Sequence, residues 1–246
     1  MKLIPYLLAL LLISCSSSGA KPINLTNIQA AKLEFFETYY FSEIAYSWKT
    51  ACDWVRDNDT LVRAGKASPN KIDSRGLDKL VLQKGEYVVG YVFEEDIPQV
   101  DELLALPEVK KIFSKDLRFL WSYGVEYEEN GHKLYALYAI KIPAGNKARV
   151  SGKDVEIAEA SVSQIDLRPV INITMTKEGS HNWETMTYDN VGRAIAITLD
   201  DQVLSCPIVN ETIAGGKTEV SGGFNHAEAK ELAARISAGI SKQLAR

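Results

Sequence analysis

The sequence predicts an α+β fold, a mostly antiparallel sheet packed by helices. Three observations carry this reading. The apolar residues recur with period two in some stretches and period 3.6 in others. The helical stretches come singly, while strands follow one another through short turns. Two turn signals, Glu128-Glu129-Asn130-Gly131 and Asp200-Asp201, sit between apolar runs and predict hairpins.

The elements follow in order. Residues 32–41 are rich in aromatics and read as a strand, with Leu33 and Phe35 on one face and Phe36, Thr38 and Tyr40 on the other. Ser42 is the expected cap of a helix carrying Ile44, Ala45, Trp48, Cys52 and Val55 at helical spacing. Residues 60–76 are polar, with Gly, Pro and Asn, and read as a loop. A strand at 87–93 precedes a helix at 96–106 with the stripe Ile97, Val100, Leu103 and Leu104. Pro107 starts a short helical turn. Runs at 117–123 and 134–142 flank the Asn-Gly signal.

In the second half, Ile171, Ile173 and Met175 alternate with Asn172, Thr174 and Thr176. Ser180 is the expected cap of a helix with Trp183, Thr187 and Val191, ended by Gly192. Residues 193–199 and 202–209 form a hairpin around Asp200-Asp201. Asn225 and Glu228 form a capping pair for a last helix, expected to end at Gly239.

Composition narrows the function. The chain has 246 residues, 46% hydrophobic and 24% charged, which is ordinary for a globular protein with a real core. With 28 basic and 32 acidic residues the net charge is −4, so there is no electrostatic case for nucleic-acid binding. Three Cys and three His leave little room for a zinc finger, an iron–sulfur site or a disulfide scaffold.

Residues 1–14 read as a lipoprotein signal peptide. Lys2 supplies a positive charge, and the apolar run 3–13 is too short to span a bilayer but has the length of a secretory core. Leu12-Ile13-Ser14-Cys15 matches the bacterial lipobox. Cleavage before Cys15 and acylation of its thiol would anchor the chain in a lipid bilayer. Residues 15–28 then form a lipidated tether. The expected location is the bacterial cell envelope, facing the periplasm. The remaining chain divides into an N-terminal α+β part at 29–165 and a core at 166–246.

Other motifs weigh less. Gly215-Gly216-Lys217-Thr218 imitates the end of a phosphate loop, but Glu211 stands where the leading Gly belongs, so no nucleotide is expected. Paired glycines suit a sharp turn better. Asp57-Asn58-Asp59 hints at a calcium loop, but Val62 holds the place of its Gly. His132, His181 and His226 are scattered, and no metal or other cofactor is expected. No G-x-S-x-G elbow occurs, and no spacing argues for a catalytic triad, so the chain is not expected to be an enzyme.

Residues 169–239 resemble the head subdomain of the first periplasmic domain of the SecD/SecDF protein-export membrane proteins. The resemblance runs through Val170-Ile171-Asn172-Ile173-Thr174-Met175, Glu178-Gly179 and Asn190-Val191-Gly192-Arg193. It continues through Ala196-Ile197-Thr198-Leu199-Asp200, Pro207-Ile208-Val209-Asn210 and Ile213-Ala214-Gly215-Gly216. It closes with Val220-Ser221-Gly222, Gly223, Phe224 and Glu228-Ala229-Lys230. Weaker matches lie upstream, at Ala31-Lys32-Leu33-Glu34-Phe35, Pro107-Glu108-Val109, Asp116-Leu117 and Leu134-Tyr135-Ala136. One departure is Asp201, where the family's hairpin usually has Gly. The family's base subdomain and transmembrane helices have no counterpart in the resemblance.

The resemblance implies a SecDF periplasmic head-like fold in which Gly192, Gly215, Gly216, Gly222, Gly223 and Phe224 are structural. It also implies binding of unfolded exported polypeptide or Sec translocon components. An envelope interaction module unrelated to export is the competing reading. Without the family's base, the 33–40 strand is expected to have a free edge, unless the 42–57 helix and the 60–76 loop fold back and cover it. Leu33, Phe35, Phe36 and Tyr39 are therefore the expected binding residues.

Overall fold

A computed structural model describes residues 28–58, 76–82 and 85–244. Cys15, the signal peptide, the tether and all of the 60–76 loop except Gly76 lie outside the described residues. The architecture is α+β, as expected, but the antiparallel pairing is divided among three sheets rather than gathered in one.

The first sheet has the order β10-β9-β1-β6, with β10 spanning Gln202–Ser205. Strand β1 (Leu33–Glu37) is internal to it. It pairs along its whole length with β9 (Ile195–Leu199) and at Glu34 and Phe35 with β6 (Val150–Ser151). This corrects the expected free edge. Leu33, Phe35 and Phe36 are buried, with relative exposures of 1%, 0% and 4%. The physical reason lies in the strand itself, which is apolar on both faces and so needs cover on both. Phe35 meets Trp183 with ring centroids 5.1 Å apart, while Phe36 joins Leu120, Tyr138 and Ile140 on the opposite side.

The second sheet, β2-β5-β3, joins β2 (Gly90–Phe93), β5 (His132–Lys141) and β3 (Leu117–Trp121), with β4 (Tyr127–Glu129) also paired to β5. The Asn-Gly turn forms between β4 and β5, with both residues at positive φ. Helix α1 (Phe41–Asp57), the short α2 (Leu77–Leu80), α3 (Ile97–Ala105) and α4 (Pro107–Lys110) pack here. They form a core around Trp48, Leu80, Val100, Val109 and Leu137. Helix α1 starts one residue before the expected Ser42 cap. Tyr40 holds the capping position, and the Glu43 carboxylate accepts the Tyr40 N–H at 2.6 Å.

The third sheet has the order β11-β8-β7. Strands β7 (Val155–Val162) and β8 (Pro169–Met175) form a long hairpin, and β11 (Lys217–Ser221) flanks β8. The boundary expected at 165/166 falls in the turn of that hairpin. Helix α5 (Lys177–Asp189) is capped by Thr176, whose hydroxyl accepts the Gly179 N–H at 3.0 Å, so the expected Ser180 cap is corrected. Thr176 leaves β8 in an extended conformation, which is the geometry a capping side chain needs. Val191 lies beyond the helix and bridges to Val209. Helix α6 (His226–Leu244) carries the Asn225–Glu228 capping pair. It does not end at Gly239 but runs through it. Leu33, Phe35, Ile171, Ile173, Trp183, Leu232 and Ile236 share the core between the first and third sheets.

Candidate functional site

The two partners of β1 on its outer side leave an interval. The β6 ladder covers Glu34 and Phe35, and pairing resumes only at Thr38, which bridges to Ile140 of β5. Phe36 and Glu37 lie in the interval. The chain that leaves β5 crosses it as residues 143–149 before returning as β6.

A cleft of about 480 Å³ opens there. Phe35, Phe36, Ile142, Pro143 and Met186 give it an apolar lining, and Glu37, Asp116, Lys141, Lys147 and Arg149 add charge. That volume lies within the range of small-molecule and peptide side-chain pockets.

The charged groups are tied to one another. Arg149 donates to Asp189 at 2.5 Å and stands 3.8 Å from Glu37. Lys141 is 3.7 Å from Glu43 and lies 4.8 Å above the Tyr39 ring. Tyr39 donates its hydroxyl proton to Asp116 at 2.8 Å, and Ser114 donates to the same carboxylate. The Ser114 and Tyr39 hydroxyls hold Asp116 below the usual carboxylate range. Burial, reinforced by Asp116, pushes the Tyr39 hydroxyl up. At Glu43 burial acts upward. The Tyr40 N–H, the Arg193 guanidinium and the Lys141 charge outweigh it and hold the carboxyl low. Lys147 is exposed and has no ion-pair partner among the described residues.

A second cluster fixes α1 to the first sheet. Arg193 lies 4.1 Å from the Tyr40 ring and donates to Glu43 at 2.7 Å and to the Thr38 carbonyl at 3.2 Å. The Tyr40 hydroxyl donates to the Gly192 carbonyl at 2.6 Å.

The expected site residues are therefore divided. Phe35 and Phe36 do line a cleft, but from its buried wall. Leu33 is core, and Tyr39 is half-buried beside the cleft, tied to Asp116. Gly192, Gly215 and Gly216 have φ of +79°, +81° and +65°, the left-handed conformation that glycine adopts without strain. Gly222 lies against the Leu204 carbonyl, where a Cβ would approach to 2.4 Å. Gly223 neighbours Gly124 and Val125, and Phe224 is core. His132 contacts Glu95 at 2.8 Å. Among the described residues no group of His, Cys, Asp or Glu has a metal-site arrangement, and no helix is long and apolar enough to cross a membrane.

The sequence reading missed the cleft's outer side. Lys147 and Arg149 sit in a segment without periodicity, and β6 is two residues long. Strand β7 is built largely from Ala, Ser and Glu, which carry little strand signal.

A family profile for the SecDF P1 head subdomain matches residues 133–240. The protein translocase subunit SecD of Rhodothermus marinus is 31% identical over 153 residues, which are 62% of this chain and 24% of that protein. SecD of Calditerrivibrio nitroreducens is 42% identical over 82 residues, 33% of this chain and 16% of that protein. The chain thus spans a quarter or less of the length of these two relatives. A solved structure of SecDF, described as a membrane component that enhances protein export, is 19% identical with a TM-score of 0.37. The likeness covers 84% of this chain and 93% of that one. Residues 133–240 are thus similar to the head subdomain of the SecD/SecDF family.

Proposed function

We propose that this chain is a non-enzymatic, lipid-anchored protein of the bacterial envelope that assists protein export by binding exported polypeptide in the cleft beside β1. The observation that carries the reading is the family match over 133–240, because that stretch includes Lys141, Ile142, Pro143, Lys147, Arg149 and Met186 of the cleft. Two physical features support it. An interval in a strand ladder beside an apolar wall suits an extended chain, which offers main-chain groups and alternate side chains together. The cleft's Asp116 and the neighbouring Glu43 are held low by partners, whereas a general acid or base works best with a pKa near the ambient pH. The anchor is Cys15, in its lipobox context.

The test is a photo-crosslinking residue at Lys147, an exposed side chain at the mouth of the cleft, in intact cells. Crosslinks to newly exported chains or Sec translocon components are expected. Crosslinks to one folded envelope protein alone would sink the export reading. Cys15→Ala should remove acylation and release the chain from membranes. Its retention there after a high-salt wash would overturn the anchor.

A further inference from the structure

Arg118 of β3 makes two side-chain contacts beyond its own sheet. Its guanidinium donates to Asp201 Oδ1 at 3.1 Å and to Asn146 Oδ1 at 3.1 Å. Both acceptors are non-glycine residues in the left-handed region, Asp201 at φ +65° and Asn146 at φ +57°. Such residues are uncommon and carry a conformational cost unless their surroundings hold them. Here one arginine holds both.

Asn146 belongs to residues 143–149, the segment that crosses the cleft. Its backbone N–H donates to the Pro143 carbonyl at 3.0 Å, closing a tight turn at the segment's outermost point. The segment makes no ladder with β1, since pairing stops at Phe35↔Val150 on one side and at Thr38↔Ile140 on the other. Apart from that turn, side chains fasten it: Arg118 to Asn146 in the middle, the half-buried Ala148 against the cluster of Phe36, and Arg149 to Asp189 and Glu37 at the end. Residues 143–146 and Lys147 are exposed, so moving them away from the cleft uncovers little apolar surface.

We propose that residues 143–149 are a strap that opens and closes the cleft, with the Arg118–Asn146 hydrogen bond as its catch. The ends of the strap are fixed by β5 and β6, and its middle is held by a contact that breaks at little cost in buried area. Opening would free Phe36, Glu37 and Met186 to an incoming chain. The Arg149 ion pairs with Asp189 and Glu37 are partly solvent-accessible, so salt weakens that end of the closed state. The role of the opened cleft rests on the polypeptide-binding reading, but the strap itself is tested on the free chain.

The deciding variant is Asn146→Gly. Glycine adopts φ +57° without strain, so the turn is kept while the acceptor for Arg118 is lost. The readouts are cleavage by trypsin at the Lys147–Ala148 bond and deuterium uptake of the peptide covering 143–150, both on the whole chain without ligand. We expect both rates to rise about tenfold, the scale of one hydrogen bond to a charged group, with the rest of the chain unchanged. Arg118→Met should give the same local increase. If Arg118→Met unfolds the chain, Asn146→Gly alone decides. Unchanged rates at 143–150 in Asn146→Gly would overturn the catch, whatever the cleft binds. Normal strap opening combined with no crosslinked polypeptide would leave the strap standing and remove the binding reading.

Discussion

Gly239 of α6 lies against the carbonyl of Ala31: a Cβ built on it would stand 2.1 Å from that oxygen. The Ala31 N–H in turn donates to the Arg235 carbonyl at 3.1 Å. The chain leading into β1 is thus laid directly on the helix backbone, and only a residue without a side chain permits the approach.

This contact reverses the usual sign of a glycine substitution in a helix. Elsewhere in a helix interior, Gly→Ala gains roughly 1 kcal/mol from propensity. At Gly239 the methyl group would force the 31–33 segment off the helix, and overpacking of that kind costs about 1–3 kcal/mol. Gly239→Ala should therefore lower the urea midpoint. A midpoint at or above that of the unmodified chain would contradict the contact.

The β9–β10 turn separates two aspartates that look alike in sequence. Asp200 and Asp201 have φ of +50° and +65°. Among the described residues Asp201 gives its carboxylate to Arg118 across an exposed pair, worth about 0–1 kcal/mol. Asp200 accepts the Lys32 N–H at 2.8 Å and the Arg235 guanidinium at 2.7 Å. Glycine at either position relieves the left-handed backbone. Asp201→Gly should therefore be neutral or stabilise by up to about 1 kcal/mol, whereas Asp200→Gly should destabilise by about 1 kcal/mol or more. Thermal unfolding of the pair checks this, and shifts of the same sign would refute it.

How much the sequence revealed depends on which force set each feature. Hairpins with a local signal were legible: Asn130-Gly131 and Asp200-Asp201 sit where the turns form. So was α1, whose stripe Ile44, Trp48, Cys52 and Val55 is buried. The burial of β1 was not legible, because LEFFE reads equally well as an exposed aromatic edge and as a strand covered on both faces. Only the arrival of β6, more than a hundred residues later, decides between them. Gly239 read as a helix stop because its close approach to Ala31 is a tertiary fact. The cleft was partly legible. Phe35 and Phe36 stand out in the sequence by their aromatic character, but Lys147 and Arg149 become neighbours of theirs only through the β6 pairing.

Glu43 should make the chain acid-sensitive in a defined direction. Its carboxyl pKa is held below the ordinary 4.5 because, although burial raises it, the Tyr40 N–H, Arg193 and Lys141 favour the charged form. A carboxyl lowered in the folded state stabilises that state at pH values above the unfolded pKa. The contribution is lost as pH falls through the folded value. Glu43→Gln should therefore be less stable than the unmodified chain at pH 7, with the difference shrinking below about pH 4.5. Urea titrations from pH 7 down to pH 3 read the difference. A gap that widened toward acid would show that Glu43 is not stabilised as the anion.

The two cysteines within the described residues are not joined in a disulfide and lie in different cores. Cys52 is on the buried stripe of α1, and Cys206 packs beside the cluster of Phe36, Tyr138 and Val203. Burial raises the Cys206 thiol to about 12, with the Glu126 carboxylate adding to the shift. A thiol raised in this direction is almost wholly protonated at pH 7, and the thiolate is the reactive form. Iodoacetamide should therefore label Cys206 at least about a hundredfold more slowly in the native chain than in urea, where the thiol returns to a pKa near 8.5. Mild oxidation should not join Cys52 to Cys206. Peptide mapping after labelling reads both outcomes. Rapid native labelling of the half-buried Cys206 would show that its thiol is not raised, and a recovered Cys52–Cys206 disulfide would mean that the two cores open far more readily than the buried Phe36–Tyr138 contact implies.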